Sequence, residues 1–233
     1  RPEIRKVTDL VLKHQPRGVF ICNPNNPTGN YLGSTEIREV LNAIGDGLLV
    51  IDEAYVSFIE DTWDSLELTK QDNVVVLRSM TKDYGMPGLR LGYAVASREI
   101  INDLRPALPP WNVNIAAQKV GEAVLDMEKH LEQSLLRVHE AKQFLAEGLS
   151  QQGFDVLPSD ANYFLVKVGN AAAFRDNLLK SGILVRDCTS FGLPEYVRIA
   201  PRTLPECGKL LDAVERIKTA EKYAVPAEYR KRI

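Results

Sequence analysis

Short apolar runs alternate with amphipathic stretches through the first half of the chain. The runs are Gly18–Cys22, Leu48–Asp52, Asn73–Leu77 and Leu91–Ala96. Each is short and bounded by turn residues, which predicts strands rather than buried helices. Between the first two, Ile37, Val40, Leu41 and Ile44 recur at helical spacing and predict a helix opened by Ser34 or Thr35 as N-cap. Ahead of them, Ile4, Val7, Leu10 and Val11 mark another helix, and the chain starts inside it, as a fragment of a longer fold would. Such alternation predicts an α/β fold, a mostly parallel sheet flanked by helices with right-handed crossovers. The loop before Leu91–Ala96 has no room for a full helix, so that strand is expected to run antiparallel.

A proline cluster, Pro106-Ala-Leu-Pro-Pro110, then breaks the pattern. A long helical region follows from about Ile115 to Ser150, interrupted or bent. The last third reads as strand Tyr163–Val168, helix Ala171–Lys180, strands Ile183–Arg186 and Tyr196–Ala200, and helix Pro205–Lys218. The expected organisation is a partial large domain over 1–112, a connecting helical region over 113–150, a small α+β domain over 151–218 and a polar tail over 219–233.

Composition narrows the partners. The 29 basic and 31 acidic residues leave a net charge of -2, with no basic excess to suit nucleic acid or an anionic membrane. No stretch has the apolar length of a membrane helix, and the first residues lack a signal-peptide core. Cys22, Cys188 and Cys207 are odd in number and have no metal-ligand spacing. They argue against a disulfide framework or a metal site and for a reducing, cytoplasmic setting. His14, His130 and His139 stand in no motif and are assigned to solvated helix positions.

Three of the apolar runs end in polar clusters: Asn23-Pro-Asn-Asn-Pro-Thr-Gly29, Asp52-Glu-Ala-Tyr55, and Ser79-Met-Thr-Lys82 continuing to Arg90. Ligands of open α/β sheets bind beyond the carboxyl ends of the strands, so these loops are expected to converge on one place. Singly, each has an ordinary reading: a surface turn, a helix cap, a chance Ser-x-x-Lys pair. Together and in this order they are far more specific.

With Pro87-Gly-Leu-Arg-Leu-Gly-Tyr93 behind the lysine, these motifs resemble those of fold-type-I, pyridoxal-phosphate-dependent class I/II aminotransferases. The nearest branch contains histidinol-phosphate aminotransferase and threonine-phosphate decarboxylase, and the likeness runs from Val19 to about Lys218. The resemblance implies that Lys82 forms the Schiff base with pyridoxal 5'-phosphate and shuttles the α-proton. It implies that Asp52 pairs with the cofactor's ring nitrogen, that Asn26 and Tyr55 hydrogen-bond its phenolic oxygen, and that Ser79 and Arg90 hold its phosphate. Arg198, in Tyr196-Val-Arg-Ile-Ala, corresponds to the arginine that grips the substrate carboxylate. Arg186 corresponds to a second arginine of the branch that handles phosphorylated substrates, with Arg202 a nearby competitor. Glu53 receives no role. Competing readings are core packing for Tyr55, a local cap for Ser79, a surface salt bridge for Arg186 and an exposed loop lysine for Lys82.

The implied activity is transfer of an amino group between an amino acid or amino phosphate ester and a keto acid, by a homodimer acting on small molecules. Thr81, Met86–Arg90 and Pro110–Asn114 lean toward the decarboxylase instead. A sensor domain of a transcription regulator is a non-enzymatic alternative. Ser79-x-x-Lys82 with Ser159-Asp-Ala-Asn162 loosely echoes penicillin-recognising serine hydrolases, but no Lys-Thr-Gly follows. Family members begin well before this chain, so an N-terminal portion and any partner-subunit residues of the expected site are not readable in it.

Overall fold

A computed structural model describes residues 3–222. Helix α1 (Ile4–His14) is followed by β1 (Gly18–Cys22), α2 (Ser34–Ile44), β2 (Leu48–Asp52), β3 (Val74–Ser79), the single turn α3 (Met80–Asp83) and β4 (Gly92–Ala96). β1, β2 and β3 pair in parallel in that order, and β4 joins β3 antiparallel, as the short connection before it requires. Ile37, Val40 and Leu41 of α2 pack with Leu49, Ile51, Val74 and Val76, and Ile4 and Val7 of α1 border the same cluster. Alternation along the strands puts those residues on one face. Each fully buried side chain of this kind contributes roughly 1.5–3 kcal/mol.

The cap of α2 differs from expectation. Gly33 occupies the N-cap, and Glu36 Oε2 accepts from the Gly33 amide at 2.8 Å. That is the return half of a capping box, which needs no side chain at the cap itself. Ser34 Oγ instead accepts from Arg38 Nε at 3.0 Å. After β4 come α4 (Arg98–Leu104), which the pattern did not predict, then α5 (Ile115–Val124) and α6 (Glu128–Gln151). The long helical region is thus interrupted between Val124 and Glu128.

The chain forms two compact units, one running to Leu135 and including Ser159–Asn162, the other comprising Leu136–Pro158 and the chain from Tyr163. In the second unit β5 (Asp155–Val156), β6 (Phe164–Lys167), α7 (Ala171–Leu179), β7 (Arg186–Asp187), β8 (Tyr196–Ile199) and α8 (Leu204–Lys222) follow in sequence. Its sheet is antiparallel in the order β5-β6-β8-β7. Leu145 and Leu149 of α6 pack with Phe164, Val166, Leu178 and Val197 in its core. The strand expected over Ile183–Arg186 is confined to Arg186–Asp187, and β5 was not predicted. The tail expected over 219–233 is helical to Lys222 and otherwise lies outside the described residues. Among the described residues no helix is long and apolar enough to cross a membrane, and no cluster of His, Cys, Asp or Glu is arranged to hold a metal ion.

Candidate active site

The parallel register sets Cys22 beside Asp52 and Asp52 beside Leu77, so the three strands end together. Pairing continues one residue further: the Asn23 amide donates to Asp52 O at 2.9 Å and the Glu53 amide to Leu77 O at 2.8 Å. The loops leaving β1, β2 and β3 therefore share one edge of the sheet. Asn23, fully buried, shapes the first of them by accepting from the Leu32 amide at 2.6 Å and donating to Leu32 O at 3.0 Å. Asn25 Oδ1 accepts from Thr28 Oγ1 at 2.9 Å, and Gly29 turns the chain with φ 74°. That positive φ suits glycine, which has no Cβ to clash. Asp160 braces the same loop, donating its amide to Gly29 O and accepting from the Tyr31 amide, both at 2.9 Å. Half-buried Asn26 sits within this loop. The Ser159–Asn162 segment, noted above for a hydrolase-like spacing, is thus partly a backbone brace, a role with no local signature.

Asp52, half-buried at the end of β2, accepts from the Ala54 amide at 3.0 Å through Oδ1, while Cys22 Sγ lies 3.9 Å from Oδ2. Burial pushes the Cys22 thiol up, and the Asp52 carboxylate adds to the shift. Glu53 points the other way, into the protein. Its fully buried side chain accepts from Arg78 Nη2 at 2.9 Å and Nε at 3.0 Å, both on Oε2. Burial pulls the Arg78 guanidinium down, but the charge and hydrogen bond of Glu53 hold it above the ordinary value.

Tyr55 opens the 3₁₀ turn Val56–Phe58, and Lys82 Nζ stands 4.7 Å from the centroid of its ring. The two turns are also joined by Ser57 Oγ, which donates to Asp83 Oδ2 at 2.8 Å. Burial raises the Asp83 carboxyl above the usual range, although the Ser57 hydrogen bond and the charges of Lys82 and Arg78 act against it. Ser79 caps α3, accepting from the Thr81 amide at 3.3 Å, and its hydroxyl lies 2.7 Å from that of Thr81. The cap expected as a rival role for Ser79 is therefore present. Arg90 is exposed, adopts φ 59° and donates to Pro87 O at 3.0 Å. The register of Ser79 with Gly92 returns the chain to the strand end two residues after Arg90. Asp52, Tyr55, Ser79, Lys82 and Arg90 are thus gathered on neighbouring loops of the first unit. Sequence reasoning missed Ser57, Arg78 and Asp83, whose partners are fixed by register rather than spacing.

In the second unit Arg186 and Arg198 are direct cross-strand partners on β7 and β8. The pairing brings two guanidinium groups to one face of the small sheet, with the Asp187 carboxylate acting on Arg186. Arg198 lies 4.9 Å from the Tyr163 ring centroid and Arg186 5.4 Å from that of Phe191, both cation–π distances. Arg186 Nη2 also donates to Ser190 Oγ at 2.9 Å. Both line an open cleft of about 1480 Å³, with Arg202 and Lys209 further along its wall. Arg202 is bound to Glu206 at 2.8 Å, which makes it the poorer candidate.

The first unit thus sets a lysine-bearing turn and a carboxylate at the ends of adjacent strands of a mostly parallel sheet, and its solved neighbours share the fold-type-I transferase architecture. The family model of aminotransferase class I and II matches residues 4–214, and the chain belongs to that family. It is 38% identical over 200 residues to histidinol-phosphate aminotransferase of Symbiobacterium thermophilum, covering 84% of this chain and 55% of the relative. It therefore spans a little over half the length of that relative. The solved histidinol-phosphate aminotransferase of Clostridium acetobutylicum superposes with a TM-score of 0.86 at 28% identity, over 93% of this chain and 68% of that one. The L-threonine-O-3-phosphate decarboxylase of Porphyromonas gingivalis does so with a TM-score of 0.78 at 30% identity, over 87% and 64%.

Proposed function

We propose that this chain is the lysine-bearing part of a pyridoxal-phosphate-dependent aminotransferase that moves an amino group between an amino acid or amino phosphate ester and a keto acid. The observation that carries this reading is Lys82 Nζ standing 4.7 Å from the Tyr55 ring centroid, on loops leaving neighbouring strands, one of which ends in Asp52. The chemistry of the donor set fits the cofactor. Lys82 offers an amine to its aldehyde, Asp52 a carboxylate to its ring nitrogen, and Asn26 and Tyr55 hydrogen bonds to its phenolic oxygen. Ser79 and Arg90 offer a hydroxyl and a guanidinium fork to its phosphate. When bound, the cofactor supplies an electron sink for negative charge at a substrate's α-carbon. The chain's own residues bind, orient and move the proton. With the cofactor bound, the Lys82 amine would take the proton from the substrate's α-carbon as general base and return it as general acid. Arg198 holds the substrate carboxylate, and Arg186 beside it holds a second anionic group such as a phosphate. Family membership supports a homodimer acting on small molecules, and the three free cysteines fit a cytoplasmic setting.

Threonine-phosphate decarboxylation is the second reading, favoured by the 30% identity to that solved decarboxylase. It draws on the same residues.

The test is the absorption spectrum of the protein with pyridoxal phosphate, followed by borohydride reduction and peptide mapping. A reduced adduct on Lys82, absent from Lys82→Ala, is expected. Wild type without that adduct would overturn the proposal. Adding histidinol phosphate or threonine phosphate, and measuring aminated cofactor against released carbon dioxide, separates the two reactions.

A further inference from the structure

Lys82 is an exposed side chain on a single helical turn of four residues, and a flexible amine on so short an element needs something to aim it. The Glu53–Arg78 pair ties β2 to β3 but lies at the strand ends, before either functional turn begins. Beyond it, the turn carrying Tyr55 and the turn carrying Lys82 are joined by the bond from Ser57 Oγ to Asp83 Oδ2, at 2.8 Å. Ser57 is two residues from Tyr55, and Asp83 is next to Lys82. We propose that Ser57 and Asp83 are positioning residues whose hydrogen bond locks these two turns together and so holds the Lys82 amine over the Tyr55 ring. The proposal rests on the reading of Lys82 as the cofactor lysine and adds to it the device that aims that lysine.

Two further features support it. Asp83 Oδ1 is buried without a hydrogen-bond partner among the described residues. A buried carboxyl so little satisfied is a costly way merely to brace a surface turn. In addition, the bond spans 26 residues of sequence, so it constrains two loops that local structure leaves independent.

The test needs no cofactor. Reductive methylation of the chain with ¹³C-formaldehyde labels its lysines, and Lys82→Arg identifies the Lys82 signal. In wild type that signal is expected to show an upfield ring-current displacement, abolished by Tyr55→Leu. Ser57→Ala and Asp83→Ala should lose it, whereas Ser57→Thr and Asp83→Asn, which keep a donor or an acceptor, should restore it. A brace without effect on Lys82 would leave the displacement in place in both alanine variants, and that result overturns the proposal, as does its absence from wild type. Should Asp83→Ala fail to fold by circular dichroism, Ser57→Ala alone decides. As a second readout, borohydride trapping of pyridoxal phosphate on Lys82 should be about tenfold slower in Ser57→Ala and recover in Ser57→Thr, since small misplacements of a reacting group cost large factors in rate. A wild type with the displacement but no trapped cofactor would overturn the functional reading alone.

Discussion

Glu53 and Arg78 form an ion pair that is unequal in its surroundings: the glutamate side chain has no exposure, while the arginine keeps 27% of its own. The two halves should therefore not be equally expendable. Arg78→Met strands a carboxylate in the interior and is expected to cost about 3–5 kcal/mol, the range for breaking a buried pair. Glu53→Gln leaves an amide oxygen to accept from Arg78 and a guanidinium that can still reach water, so about 1–2 kcal/mol is expected. Urea denaturation of both variants checks the order, and equal losses would contradict it. Asp83 gives a second expectation, in pH. Because burial raises its carboxyl, the native state keeps a proton that the unfolded chain has released. Its contribution to stability is therefore present below the unfolded value of about 4 and is lost as pH rises through its raised value. Asp83→Asn cannot titrate there. The stability of wild type minus that of the variant should fall across this window and level off above it. A difference that grew with pH would contradict the sign.

At the scale of elements, Gly92 shows why a motif residue matters. A Cβ built there would stand 2.8 Å from Arg78 O, a backbone atom that cannot swing aside. Gly92 also pairs with Ser79, at the point where β3 gives way to the Lys82 turn. Gly92→Ala is expected to cost about 1–3 kcal/mol by overpacking and to weaken cofactor capture at Lys82, both measurable on one preparation by denaturation and borohydride trapping. The strands themselves were legible because each is a compact apolar run between turn residues, and the antiparallel sense of β4 followed from its short connection. Helix α4 was not, since its seven residues stop against Pro106 before a clear periodicity accumulates. β7 shrank because Ile183 and Val185 serve the core without joining the ladder, leaving pairing to Arg186 and Asp187. The α2 boundary moved because a glutamate inside the helix, not a hydroxyl at its start, satisfies the first amide. Within the candidate site, Asp52, Tyr55 and Lys82 could be named from motifs that announce themselves locally. Ser57–Asp83 and Glu53–Arg78 could not, because each joins residues 25 or 26 apart whose meeting depends on the parallel register of β2 and β3.

At the scale of the molecule, the proposed chemistry is divided between two compact units. The first contains Asn26, Asp52, Tyr55, Ser79, Lys82 and Arg90, and the second contains Arg186 and Arg198. The division predicts separable effects. Arg186→Ala and Arg198→Ala alter only the second unit's cleft, so borohydride trapping of pyridoxal phosphate on Lys82 should stay near the wild-type level. Losing hydrogen bonds to a charged group, at about 1.5–3 kcal/mol each, should nonetheless weaken binding of a phosphorylated amine substrate about tenfold or more, read as the concentration at which it protects the protein from borohydride trapping. Each replacement also removes one of two like charges held opposite each other in the ladder. Stability should change by less than about 1 kcal/mol, because relief of the like-charge pairing is set against the lost Arg186–Ser190 hydrogen bond and the cation–π contacts. Lys82→Ala should do the reverse, abolishing the trapped adduct and leaving the second unit's stability unchanged. Protection titrations and thermal melts on the three variants measure both quantities. A larger fall in stability in the arginine variants would show that the pair is a structural element of β7 and β8, and unchanged protection would remove both arginines from the substrate site.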